Sequence, residues 1–279
     1  MRNPSIGVGM AQISENSYSR DGTLSHLNNK DRRLFFFDEI SSTNSYSKES
    51  DDVVSGDVVI AKTQSQGRGR IGRSFLSDKG GIFMSYLPKE NISGDMILSV
   101  TGVCGVAVCL AIEKSIGISP DVKWMNDVLV GGKKICGILT EATFSGGQTP
   151  NKIIVGIGIN ANQSKSSFGD ELSRIATSLF EVTGKEIDLN LLSAEVINQL
   201  DEAFLALNSK NIEKYLTEYR DRCITIGKRI NVITGDVSRE ALALSVDDTF
   251  GLIVKFEDGA VEAVRSGEAT IRGIGGSYN

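Results

Sequence analysis

Seventeen consecutive residues without a charge, Met96 to Ile112, limit most strongly what this chain can fold into. So apolar a run must leave water, either into a bilayer or into a protein core. It falls short of the ~20 apolar residues of a membrane-spanning helix and contains Ser99, Thr101, Gly102 and Gly105, so a buried core helix is expected. With 279 residues and 40% hydrophobic content, the chain can wrap such a helix in one large domain and still build a small one. The net charge of -5 argues against an extensive nucleic acid surface.

Around that run the texture alternates. Residues 1 to about 31 are rich in Ser, Asn and Gly and read as a flexible arm. RLFFFDEI predicts a strand, SSTNSYSKES a capped short helix, and DVVIAKT and GGIFMSYL further strands. After the core helix, DVKW, KKICGILTEA and KIIVGIGIN predict three closely spaced strands. Helical periods follow in ELSRIATSLFEVTG, DLNLLSAEVINQLDEAFLAL and NIEKYLTEYRDRC. Beyond Gly227 come short alternating strands punctuated by TGD, DDTFG and EDG, which predict a small barrel leaning on the larger domain.

Cys104, Cys109, Cys136 and Cys223 form no CxxC pairs, and the single histidine, His26, sits in a polar stretch. No zinc site and no histidine-based triad are expected, and the opening residues lack a signal peptide's apolar run. These features predict a reducing cytoplasm.

Chemistry concentrates in a few segments. Gln64 to Arg73 sets Arg68, Arg70 and Arg73 among Gly67, Gly69 and Gly72, pairing forked cationic donors with a backbone that admits a close ligand. Without an anion the like charges repel, so this loop is expected to order on binding. Read alone, it serves equally as an anion loop, a solvated basic turn or an RNA-binding segment. It matches neither a Walker loop nor a Rossmann fingerprint.

Lys123-Trp124-Met125-Asn126-Asp127 puts the only tryptophan between a lysine and an acid, followed by Gly131-Gly132-Lys133-Lys134 and Gly137. Asp127 could accept a hydrogen bond or hold magnesium, and Lys134 could neutralise developing negative charge. An Asn-Asp turn, a core tryptophan and an exposed hairpin tip explain the same residues. Gly156 and Gly158 share one strand face ahead of Asn160 and leave room for a flat ring or a closely packed helix. Ser42, Thr43 and Asn44 read as ligand contacts or as ordinary capping.

In their order and spacing, SSTNS at 41–45, QSQGRGRIGR at 64–73, KWMNDV at 123–128, GGKKICGILTE at 131–141 and VGIGIN at 155–160 resemble the biotin protein ligases. The resemblance spans roughly residues 33–272. It implies an α+β fold: a mixed β-sheet catalytic domain flanked by helices, like the class II aminoacyl-tRNA synthetases, with a C-terminal SH3-like barrel. Residues 1–31 would be the arm, 32–227 the catalytic domain and 228–279 the barrel.

By the same resemblance, Ser42, Thr43, Asn44 and Gln64 would meet the ureido ring of biotin. Gly67, Arg68, Gly69 and Arg70 would fold over the adenylate, Asp127 would support adenylation, and Lys134 would contact the carboxylate and the adenylate linkage. Lys123, Trp124 and Asn126 would join the site, and Gly137, Gly156, Gly158 and Asn160 would floor it. Biotin, ATP and Mg2+ would yield biotinyl-5'-AMP, and the acyl group would pass to a lysine of a biotin carboxyl carrier protein. A monomer or homodimer acting without nucleic acid or membrane is implied, since about 31 polar residues are too few for a winged-helix domain.

The chain departs from the family pattern at Met125, where proline is common, and at Phe75, where tryptophan is common and would stack on adenine. A lipoate ligase and a non-catalytic biotin sensor are the alternatives. The STN and Gln64 set favours a ureido group over a dithiolane, and Asp127 with Lys134 counts against a pure sensor.

Overall fold

The computed structural model describes residues 17–70, 72–144, 150–265 and 270–273. Its centre is a seven-stranded sheet in the order β1-β2-β3-β7-β6-β5-β4. The strands are β1 (Leu34–Ile40), β2 (Val58–Gln64), β3 (Ile82–Tyr86), β4 (Asp121–Lys123), β5 (Asp127–Val130), β6 (Lys133–Thr143) and β7 (Lys152–Ile159). Only β1 and β2 run parallel.

One face of the sheet packs on the apolar run, which is helix α3 (Ile97–Ile116), closed by Gly117 in the left-handed conformation. By length and composition α3 could cross a bilayer, but Val100, Val103, Cys104, Val106, Ala107, Val108, Cys109, Ala111 and Ile112 are all sealed inside. The helix lies against β5 and β6 on one side and against helix α6 (Leu189–Asn208) on the other. The short helix α2 (Thr43–Glu49), N-capped by Ser42, covers the sheet from the other face above β2, β3 and β7.

Three sequence expectations change. Residues 17–31 are no detached arm. Helix α1 (Arg20–His26) starts at an N-capping Ser19 and packs on α6, with Tyr18, Thr23 and Leu27 buried. Its anchors are polar: Tyr18 Oη lies 2.8 Å from Ser193 Oγ, Asn190 Oδ1 accepts from Ser19 N, and Asn198 Oδ1 accepts from Asn28 N. Residues 1–16 lie outside the described residues.

ELSRIATSLFEVTG is not one helix. It breaks into α4 (Gly169–Leu172) and α5 (Leu179–Thr183), because Ala176 pairs with Lys134 and Ser178 caps α5. Between β4 and β6 the chain forms a fourth strand, β5, where no strand was predicted, and the β5–β6 reversal falls on Gly131 and Gly132, both at positive φ.

Helix α7 (Glu213–Arg222) leads to a second sheet, in which strands β8 (Arg229–Thr234), β9 (Val237–Val246), β10 (Leu252–Phe256), β11 (Val261–Val264) and β12 (Thr270–Gly273) pair antiparallel in the order β11-β10-β9-β8-β12. This is the small SH3-like sheet, and its buried side merges with the main core through Ile230, Val232, Val246, Phe250 and Ile271.

Candidate active site

A cavity of about 460 Å3 opens where α2, the Gln64–Phe75 loop, the Lys123–Asp127 segment and strands β6 and β7 converge. Three glycines lie in its floor, each packed closely under a neighbouring side chain. A Cβ on Gly156 would lie 2.4 Å from Asn44 Oδ1, one on Gly158 would lie 2.6 Å from Phe75 Cε1, and one on Gly137 would lie 2.9 Å from Lys134 Nζ. The paired strands thus put three glycines side by side, in register Gly137↔Gly158 and Leu139↔Gly156. The groups packed over these glycines are the Phe75 ring above Gly158 and the Asn44 side chain above Gly156.

One end of the cavity is neutral and polar. Gln64 Oε1 accepts from Thr43 N at 2.8 Å and from Thr43 Oγ1 at 3.1 Å, while its Nε2 donates to Ser77 Oγ. Asn44 Nδ2 donates to Glu141 Oε2 at 2.8 Å, and its Oδ1 accepts from Ser85 Oγ at 2.6 Å. These bonds spend both lone pairs of Gln64 Oε1 and the Asn44 amide nitrogen on the protein, and leave acceptor lone pairs on Asn44 Oδ1 and Thr43 Oγ1 for anything bound beside them. Ser42 both caps α2 and lines the cavity.

The other end is cationic. Lys134 Nζ pairs with Asp127 Oδ1 at 2.6 Å, and Arg70 Nη1 donates to Asn126 Oδ1 at 3.2 Å. Arg68, Arg73 and Lys123 line the same space. Burial, partly offset by Asp127, pulls the Lys123 ammonium down to about 8 and also lowers Arg70. The described residues of the Arg/Gly loop close a tight antiparallel turn, with Gly69 N donating to Arg73 O and Phe75 N to Gly67 O.

Of the residues singled out from sequence, Ser42, Thr43, Asn44, Gln64, Arg68, Gly69, Arg70, Lys123, Trp124, Asn126, Asp127, Lys134, Gly137, Gly156 and Gly158 line this one cavity. Gly67 and Asn160 do not. Gly67 is a close-packed position where a Cβ would meet Ser77 Oγ at 2.3 Å, and Asn160 is buried, pinning residues 177–179 to the end of β7. Ile175 and Ile271 also line the cavity. Nothing in sequence signals them, because one sits in the broken helix and the other in a strand of the second sheet.

Fold and cavity together define a small-molecule site with a hydrogen-bonding end for a neutral polar ring and a cationic end suited to phosphate and carboxylate oxygens. The model of the biotin/lipoate A/B protein ligase family matches residues 36–160. The bifunctional ligase/repressor BirA of Bacillus spizizenii is 34% identical over 239 residues, covering 82% of this chain and 71% of that protein. Its Escherichia coli counterpart is 26% identical over 235 residues, 84% of this chain and 72% of that one. The solved structure of the biotin protein ligase from Aquifex aeolicus in complex with biotin and ATP superposes with a TM-score of 0.74 at 30% identity, covering 86% of this chain and 98% of that one. The chain belongs to the biotin protein ligases, and it is a ligase that uses biotin and ATP.

Proposed function

We propose that the chain condenses biotin with ATP to biotinyl-5'-AMP and pyrophosphate, then passes the biotinyl group to a lysine of a biotin carboxyl carrier protein. The observation that carries this reading is the polarity of the cavity: a glycine floor, a neutral end of fixed acceptors, and a cationic end around Asp127 and Lys134. A ureido ring offers N–H donors to the oxygens of Asn44 and Thr43, and Ser42 can donate to its carbonyl. A dithiolane would leave those buried groups unpaired, which disfavours lipoate.

With the ring at that end, the valeryl carboxylate reaches toward Lys134. Its oxygen attacks the α-phosphorus in line, a C–O–P bond forms, and the bond to the β-phosphate oxygen breaks as pyrophosphate leaves. Lys134, Lys123 and Arg70 hold the growing negative charge in a partly dehydrated space. Asp127 is the one carboxylate among the described lining residues and already touches Lys134, a donor set that fits a Mg2+ keeping phosphate and water as its other ligands. When bound there, the metal supplies charge stabilisation at the phosphoryl oxygens.

In the second step an acceptor amine attacks the acyl carbon. The C–N bond forms, AMP departs with the anhydride oxygen, and the surplus proton leaves to solvent. Arg68, Arg70 and the loop that carries them keep water off the mixed anhydride meanwhile. The four cysteines are buried free thiols, which supports a reducing cytoplasm.

Incubation with labelled biotin, MgATP and a carrier domain should leave label on the carrier that survives denaturation. Tight biotin binding without any transfer would overturn the enzymatic reading in favour of a sensor.

A further inference from the structure

We infer that the C-terminal sheet positions the nucleotide end of the active site through one buried side chain, Phe250, and that the biotin end is indifferent to it. The inference rests on the ligase reading above. Its starting point is a pair of locally unfavourable features that face each other. Phe250 is a bulky residue at φ +63, a conformation that disfavours any side chain, and it is fully buried. Gly102 sits inside α3, where glycine weakens a helix. A Cβ on Gly102 would lie 2.2 Å from Phe250 Cδ1, so the glycine is the socket and the ring is the plug.

The turn behind the ring is rigidly made. Asp247 Oδ1 accepts from Thr249 N, Thr249 Oγ1 and Gly251 N, its Oδ2 accepts from Arg265, and Arg220 of α7 donates to Val246 O and Asp248. On the far side, the ring meets Tyr219 edge-on at 5.1 Å.

What the plug holds is the segment before Asp127. Phe250 O accepts from Trp124 Nε1 at 2.8 Å, Thr225 Oγ1 accepts from Trp124 N at 3.0 Å, and Tyr219 Oη donates to Met125 O at 3.2 Å. The residues carrying Lys123, Asn126 and Asp127 are therefore tied down from the C-terminal third of the chain. Ile271 of β12 adds a wall to the same cavity. The polar end, by contrast, is fixed by bonds among α2, β2, β3, β6 and Ser77. Phe250 touches no reacting group in this scheme; it is a positioning residue.

Two full-length variants test this: Gly102→Ala and Phe250→Leu. Gly102→Ala improves helix propensity while forcing the ring out of its socket, so a loss of function would not reflect a weakened helix. Each single variant should raise the ATP KM or lower the adenylation rate about tenfold, as expected for one overpacked or underfilled core contact. Biotin affinity, measured by calorimetry without ATP, should stay within about twofold of the parent, since its contacts lie elsewhere.

Single variants with unchanged adenylation overturn the inference, as do variants that lose biotin binding in proportion, since both would mean Phe250 is mere core packing. An unmodified protein that forms no adenylate would instead defeat the ligase reading itself.

Discussion

Replacing Glu141 by alanine should weaken biotin binding and leave ATP binding alone. Glu141 projects from β6 to take the short hydrogen bond from Asn44 Nδ2, at 2.8 Å; the other acceptor in reach, Leu139 O, is at 3.5 Å. Asn44 is 5% exposed, so its amide cannot simply turn to water. A hydrogen bond to a charged partner contributes about 1.5–3 kcal/mol, and an abandoned buried donor costs about 1–3 kcal/mol. Leu139 O and an entering water can recover part of this, leaving about 1–2 kcal/mol to appear as lost orientation of the Asn44 oxygen, or roughly a 5- to 30-fold rise in the biotin Kd.

Glu141→Gln keeps an acceptor oxygen in place and should fall between alanine and the parent. Gly156→Ala attacks the same carboxamide from below, since its Cβ would sit 2.4 Å from Asn44 Oδ1. It should therefore reproduce the alanine phenotype by a different route. Titration calorimetry with biotin, together with the ATP KM for adenylate formation, separates the two ends of the site. A Glu141→Ala protein that binds biotin as tightly as the parent refutes the reasoning, and so does one whose ATP KM rises equally.

Lys123, held near 8, should take up a proton when ATP arrives, because phosphate favours the ammonium. At pH 8 about half of the free protein has a neutral Lys123, so calorimetry in buffers of different ionisation enthalpy should show uptake of up to about half a proton. Uptake should vanish near pH 6, and ATP affinity should fall as the pH rises through 8; a flat profile from pH 7 to 9 would exclude this role. Arg70→Gly removes the tie to Asn126 and one cation, and should release the adenylate at least tenfold faster, read by filter retention of labelled adenylate. Leu27→Ala should cost about 2–5 kcal/mol in urea unfolding, because that side chain is buried; a change under 0.5 kcal/mol would mean the N-terminal helix is not integral to the domain.

The parts of the fold legible in the sequence are those whose signal is local. The uncharged run could only be α3, the alternating segments after Gly227 could only be short strands, and Ser42 to Asn44 announced a helix start. The cavity lining was readable because two glycine-bearing strands and one Arg/Gly loop are written as contiguous motifs. What stayed hidden depends on partners distant in the chain. Helix α1 has few apolar residues and is held by Asn190 and Asn198 some 170 positions away. The broken helix at 173–178 follows a helical period, yet Lys134 N donates to Ile175 O and Thr177 N to Lys134 O, and those sheet-edge bonds outcompete the helix.

The same division runs through the active site. Asn44, Gln64 and the glycine floor come from elements that β-pairing brings together within residues 42–158, and their chemistry can be read from the motifs. Lys123, Asn126 and Asp127 have equally plain identities, but their positions depend on Thr225, Tyr219 and Phe250, and no feature of KWMND encodes those supports. A sequence can therefore carry every residue of the nucleotide end and still fail at it if the turn at 247–251 is altered. Motif content predicts biotin recognition more securely than it predicts catalytic rate, because recognition is built from neighbours and the rate depends on a segment braced from outside.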